Sequence, residues 1–178
     1  MKLTKLIFLF VLSVAAVSCS KNDDDNGPAP YTLSTSNFVD TYKLKFLELR
    51  IVETITFGNG TTSTSSAVTV GSVFQNTNFV FNSNNTYTVS GSINTVTTTT
   101  NPDGSQTVGD IVIVNLEDTG TYSLNTTSNK LTITNDEGTV TVFDIKKYNE
   151  TEMTLYSEVT TVSNNSSVVT SSELRFSR

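Results

Sequence analysis

From Gly120 to the end, the chain alternates apolar and polar residues in short runs, and a turn signal interrupts each run. Tyr122 and Leu124 share one parity, then Asn125 to Asn129 turns. Leu131 and Ile133 follow, then Asn135-Asp136-Glu137-Gly138. Val140 and Val142 give way to Phe143 and Ile145, then Tyr148-Asn149-Glu150 turns. Met153 and Leu155 precede a turn at Ser163 to Ser167, and Leu174 with Phe176 closes the series. A period of two with frequent turns is the pattern of half-buried antiparallel strands, and a helix cannot satisfy it.

The first half follows the same rule less regularly. Ser36-Asn37 before Phe38-Val39 suits the cap of a short helical turn. From Tyr42 to Phe57 the apolar parity switches between Tyr42, Leu44, Phe46 and Leu47, Leu49, Ile51, which implies a bulge. A helix over Phe38 to Thr54 is the competing reading of that stretch. Further strands are expected at Ser66–Gly71, Asn78–Phe81 and Thr86–Thr100, with Asn82-Ser83-Asn84-Asn85 turning before the last. Asn101-Pro102-Asp103-Gly104 is a hairpin turn, because proline presets φ and glycine accepts a positive one. The return strand runs from Gln106 to Leu116. Its Ile111-Val112-Ile113-Val114 is apolar on both faces, which implies cover on both sides or a protein contact.

Thr, Ser and Asn make up about two fifths of the 178 residues. Threonine favours strands, while serine and asparagine favour turns. Ten Phe and six Tyr supply the burial that a disordered polar chain lacks. The expected fold is all-β, an antiparallel up-and-down meander of about 8–10 strands closing into a barrel, with a β-sandwich as the alternative. Closure or splitting is expected because a large open sheet leaves reactive edges.

The N-terminus has a different character. Lys2 and Lys5, the apolar run Leu6 to Val14, and the small residues Ala15, Ala16 and Ser18 form the three parts of a secretory signal. The run is shorter than the roughly 18 residues of a membrane span. Val17-Ser18-Cys19 resembles the lipobox of bacterial lipoproteins, which implies diacylglycerol on the Cys19 thiol and a mature chain beginning there. Two or three acyl chains would hold the protein stably on a membrane. Ser20-Lys21-Asn22-Asp23-Asp24-Asp25 resembles the acidic surface-export signal of Bacteroidota-type lipoproteins, which implies the outer face of the outer membrane. A solvated acidic linker is the plainer reading of that run. The expected organisation is a signal peptide over 1–18, a lipidated, acidic, proline-containing tether over 19–36, and a barrel domain over 37–178.

Gly120-Thr121-Tyr122-Ser123-Leu124, Lys130-Leu131-Thr132-Ile133, Phe143-Asp144-Ile145, Glu152-Met153-Thr154-Leu155 and Leu174-Arg175-Phe176, in that order, resemble the lipocalin-like lipoproteins of Bacteroidota. Phe79-Val80-Phe81 and Tyr87-Thr88-Val89-Ser90-Gly91 fit the middle of that family. Its usual Gly-x-Trp entry is replaced by Asp40-Thr41-Tyr42, and the chain has no tryptophan. The resemblance implies that Tyr42 packs against an arginine near the last strand, Arg175 or Arg178, through a cation–π contact.

Chemistry is sparse. The chain has no histidine and one cysteine, so the commonest general base, metal ligand and disulfide framework are missing. The carboxylate pairs Glu117-Asp118, Asp136-Glu137 and Glu150 with Glu152 are expected in or beside turns, not across a cleft as a glycosidase requires. Gly58-Asn59-Gly60 is a turn, not a phosphate loop. The formal charge is −6, and loss of Lys2 and Lys5 with the leader leaves nine cations against seventeen acids, a net of −8. Nucleic acid is therefore excluded as a partner on charge. No catalysis, cofactor or metal is expected.

The expected partners are the membrane, through the N-terminal lipid, and a small apolar molecule or an unspecified protein or glycan. Phe79, Phe81, Tyr87, Val89, Tyr122, Leu124, Met153, Leu155 and Phe176 are the inward candidates. They either line a ligand calyx or fill the barrel, and a filled core is the favoured outcome.

Overall fold

The computed structural model describes residues 31–178. The expected signal peptide, Cys19 and the acidic run lie outside the described residues. A single α-turn, α1 (Thr35–Phe38), leads into ten strands: β1 (Asp40–Thr56), β2 (Thr62–Phe81), β3 (Thr86–Thr100), β4 (Gln106–Val108), β5 (Val112–Asn115), β6 (Asp118–Asn125), β7 (Lys130–Asn135), β8 (Val140–Tyr148), β9 (Glu152–Ser163) and β10 (Ser166–Ser177). Eight of them, β1, β2, β3, β6, β7, β8, β9 and β10, pair with their neighbours in that cyclic order and close an antiparallel barrel. The strands β4 and β5 lie outside the ring, on the part of β3 beyond β6. The barrel, not the sandwich, is the outcome.

The cap of α1 falls two residues earlier than expected. The Ser34 hydroxyl accepts from the Asn37 amide at 3.1 Å, and the helix begins at Thr35. There is no helix over β1. Its parity switch is a bulge at Lys45, because Leu44 faces Phe176 while Phe46 faces Arg175. One extra residue on β1 restores the inward direction, so Leu47 faces Leu174 on the core side.

The two segments expected at 66–71 and 78–81 are one strand, β2. Two one-residue slips against β3, between Gly71 and Phe74 and between Gln75 and Asn78, break its period and hid its continuity. Gly91 of β3 sits opposite that irregularity at φ +112, where a Cβ would lie 2.4 Å from the Asn76 carbonyl oxygen. Only glycine fits there.

The expected strand from Gln106 to Leu116 is also interrupted. Thr98 faces Val108 but Thr95 faces Val112, three steps on β3 against four on the return. The expected cover over Ile111-Val112-Ile113 is missing within the described residues, where they are 66%, 56% and 69% exposed. In β8 the change of apolar parity from Val142 to Phe143 has no bulge behind it. Val140 and Val142 face out while Phe143 and Ile145 face in, on one unbroken pleat. The bulge comes later, at Lys146.

Strand lengths give the molecule two halves. The short strands β6, β7 and β8 end at a low rim, while β1, β2, β3, β9 and β10 run on past it. At roughly 3.3 Å per residue, the 20-residue β2 spans about 66 Å and the 6-residue β7 about 20 Å. The core fills the base: Phe38, Tyr42, Leu44, Phe81, Tyr87, Tyr122, Leu131, Phe143, Met153, Leu155 and Phe176 belong to one buried cluster.

Past the rim the long strands form a single sheet with no second layer among the described residues. None of residues 48–70, 96–100 or 157–172 is buried. Cross-strand hydroxyl pairs stand in for a core there: Thr69 with Thr97 at 2.8 Å, Ser157 with Ser172 at 2.9 Å, and Thr54 with Thr64 at 3.2 Å.

Candidate functional site

Three places in the barrel have chemistry of their own: its base, its mouth and the rising sheet. At the base, α1 drops the Phe38 ring into the lumen. It meets Phe81 at 4.7 Å, Tyr122 at 5.6 Å and Tyr42 at 5.8 Å between centroids. Arg178, the residue after β10, crosses beneath. Its guanidinium lies 5.1 Å from the Tyr42 ring, 4.7 Å from Tyr31 and 5.4 Å from Tyr148. It donates to the Tyr42 hydroxyl at 2.7 Å and the Tyr148 hydroxyl at 2.9 Å, and also to the Tyr31 hydroxyl and the Asn37 carbonyl. Its Nε is 3.2 Å from Asp40 Oδ2, an ion pair without hydrogen-bond alignment. Arg175 instead faces outward over the Phe46 ring at 4.3 Å. Of the two arginines expected to close the barrel, Arg178 does so.

Seven of the nine inward candidates, Phe81, Tyr87, Val89, Tyr122, Met153, Leu155 and Phe176, are buried, and Phe79 and Leu124 pack partly buried against them. Phe79 meets Phe176 edge-on at 4.9 Å. These side chains touch one another through the base. An eight-stranded barrel is just wide enough for its own side chains to fill it.

The mouth lies above Val89, where a concavity of about 740 Å³ is lined by Val89, Glu117, Asp118, Thr119, Asn135, Asp136 and Glu137. Two of the three carboxylate pairs read from the sequence therefore share one opening, because β6 begins beside the β7–β8 turn. Tyr87 donates its hydroxyl to Asp118 Oδ2 at 2.6 Å, and Thr119 donates to Asp136. Burial, and then the Asp118 carboxylate, pushes the Tyr87 phenol well above its usual range. The third pair, Glu150 and Glu152, lies at the base turn, where Glu152 pairs with Lys147. Among the described residues no set of three acidic side chains converges as metal ligands would.

Comparison with protein-family profiles, with curated proteins and with solved structures finds no match. Function must therefore be argued from the geometry.

The third place is the sheet above the rim. Its exposed apolar residues include Ile51, Phe57, Val70, Val108, Ile111, Val112, Ile113, Val159 and Val162, and the last two are 61% and 70% exposed. Its outer strand, β9, is paired to β8 only from Met153 to Tyr156. Sequence reasoning missed Phe38 as the plug of the base and Asp118 as the partner of Tyr87. A lone aromatic between a cap and a first strand is the only local signal for Phe38. Nothing in the sequence pairs residues 87 and 118.

Proposed function

We propose that this protein is a lipid-anchored, lipocalin-like barrel of the outer membrane surface, without enzymatic activity, that uses its raised sheet to dock a partner. The observation that carries this reading is the contrast between the two halves: a base packed with its own aromatic side chains, and a sheet with apolar residues exposed on an uncovered face and edge. Exposed apolar surface of that kind marks interaction sites. The both-faces apolar run at Ile111–Val114, expected to be covered or in contact with a protein, fits the second of those alternatives.

Anchoring is supported by the leader and Val17-Ser18-Cys19. Tyr31, stacked on Tyr148 at 5.7 Å, sets the start of the described chain at the base of the barrel. Replacing Cys19 by Ala should leave the protein unacylated and released, or unprocessed. A fully mature Cys19→Ala chain that still fractionates with outer membranes would contradict the anchor.

A photo-crosslinking residue at Val162, compared with one at Ser123 on the barrel wall, tests docking in intact cells. A discrete protein adduct at Val162 and none at Ser123 is expected. Equal adducts at both, or none at either, would refute the docking surface.

A second reading has one observation in its favour: the mouth above Val89 is large enough for a small ligand with an apolar end. Native mass spectrometry after mild purification, with a lipophilic dye titration, decides it. A bound molecule displaced by dye would favour the mouth over the sheet.

A further inference from the structure

The outer edge of β9 is an unpaired strand edge among the described residues. From Ser157 to Ser163 one side of the strand is held by β10, and the other has no strand partner among the described residues. Natural sheets guard such an edge with lysine, proline, a bulge or extreme shortness. Ser157-Glu158-Val159-Thr160-Thr161-Val162-Ser163 has none of these. Its single charge, Glu158, accepts from the Tyr156 hydroxyl at 2.5 Å and is held along its own strand. The opposite edge of the sheet is guarded: β4 and β5 are three and four residues long, with a one-residue slip between them.

We propose that the occupant is a second copy of this chain, paired antiparallel through β9 so that one sheet runs across both molecules. This rests on the docking reading and names the partner. The segment is self-complementary about Thr160. Such a pair sets Thr160 against Thr160 of the second copy, Val159 against Thr161, and Ser157 against Ser163. Opposed residues share a face, and threonine–valine and serine–serine pairs are favourable cross-strand neighbours. Glu158 falls opposite Val162, and the two Glu158 positions stand four rungs apart, about 13 Å. That exceeds the screening length of about 8 Å at physiological salt.

The geometry also suits the tether. An antiparallel pair points the two bases in opposite directions, about 55 Å apart along β9 at roughly 3.3 Å per residue. The twelve residues from Cys19 to Tyr31 extend to about 40 Å. Both anchors then reach one bilayer when the long axis lies along it, with the two-fold along the membrane normal, the closed symmetry most homodimers adopt. One strand pair is a small interface by area. Confinement of both copies to one surface raises their effective concentration and offsets that.

The test uses the full-length acylated protein in proteoliposomes, where acylation has consumed the native thiol. Opposed Thr160 positions in a strand pair lie within the 4.4–6.8 Å Cα separation of a disulfide. Under mild oxidation, Thr160→Cys is expected to give at least tenfold more covalent dimer than Ser123→Cys. Adding Val159→Lys and Val162→Lys to the same chain should cut that dimer at least tenfold while leaving its melting curve unchanged. Equal yields at positions 160 and 123, or a dimer indifferent to the two lysines, would overturn the proposal. A Val162 crosslink in cells to a protein of different mass would overturn the second copy and leave the docking reading standing. A disulfide dimer of the unmutated chain would instead refute acylation of Cys19.

Discussion

Arg178 lies beneath Tyr42, with its guanidinium 5.1 Å from the ring centroid and 2.7 Å from the hydroxyl oxygen, and it ties the end of the last strand to the start of the first. The same guanidinium reaches Tyr31 and Tyr148, and its side chain is only 11% exposed. The Tyr42 hydroxyl in turn donates a hydrogen bond to the Phe38 carbonyl at 3.0 Å, which joins the plug to the closure.

Arg178→Ala should therefore cost about 2–4 kcal/mol, because it removes four charge-assisted hydrogen bonds at a part-buried site, leaving Tyr42 only its bond to Phe38 and Tyr31 only its bond to the Asn37 carbonyl. Arg175→Ala removes only exposed contacts, to the Phe46 ring and the Glu173 carboxylate, and should cost under about 1 kcal/mol. Urea unfolding of both variants checks the ratio. Equal costs would mean that Arg178 does not close the barrel.

Alkali should open the fold. Burial raises the phenols of Tyr42, Tyr122 and Tyr148 above their ordinary value near 10, and burial together with Asp118 raises Tyr87. An acid whose folded pKa exceeds its unfolded one favours folding below the unfolded value. That contribution is lost as pH rises through the folded values. Melting temperature should hold up to about pH 10 and fall above it, and phenolate absorbance should rise together with unfolding. Titration of Tyr42, Tyr87, Tyr122 and Tyr148 near pH 10 with the fold intact would contradict this.

Gly91→Ala should cost at least about 3 kcal/mol, from a left-handed backbone and from a Cβ set against the Asn76 carbonyl. Gly58→Ala, with open space around it, should stay within about 0.5 kcal/mol of the parent. Thermal melts of the pair separate a glycine that the β2 bulges require from one that merely sits in a turn.

These cases show what the sequence made legible. Strand β3 was readable to the residue, because Tyr87, Val89 and Ile93 keep one parity between an asparagine turn and Asn-Pro-Asp-Gly. The bulge at Lys45 was readable as a parity switch, and closure followed from strand number. Strand β2 was not readable, since two slips between Gly71 and Asn78 destroy a period of two while leaving the strand intact.

Parity also misled at Val140 and Val142, where apolar residues simply face solvent. Ile111-Val112-Ile113 allowed either cover on both sides or a protein contact, since composition cannot tell an interior from an exposed surface. The mouth was illegible because Glu117-Asp118 and Asp136-Glu137 meet only once β6 and the β7–β8 turn are placed side by side. Arg178 had been one of two candidates, and only its position past the last bulge-free register selects it.

In the proposed function a filled base carries a sheet whose work is done at its uncovered edge. Hydrogen–deuterium exchange of the full-length protein, on liposomes and dispersed in detergent, separates this outcome from its rival. In both states the amides of β7, β8 and the Met153–Tyr156 segment of β9 should exchange slowly. The outward-facing amides of Ser157–Ser163 should exchange fast when dispersed and at least tenfold more slowly on liposomes. Unchanged exchange along that edge, with slowing instead around Val89, Asp118 and Asp136, would contradict the claim and move the site to the mouth of the barrel.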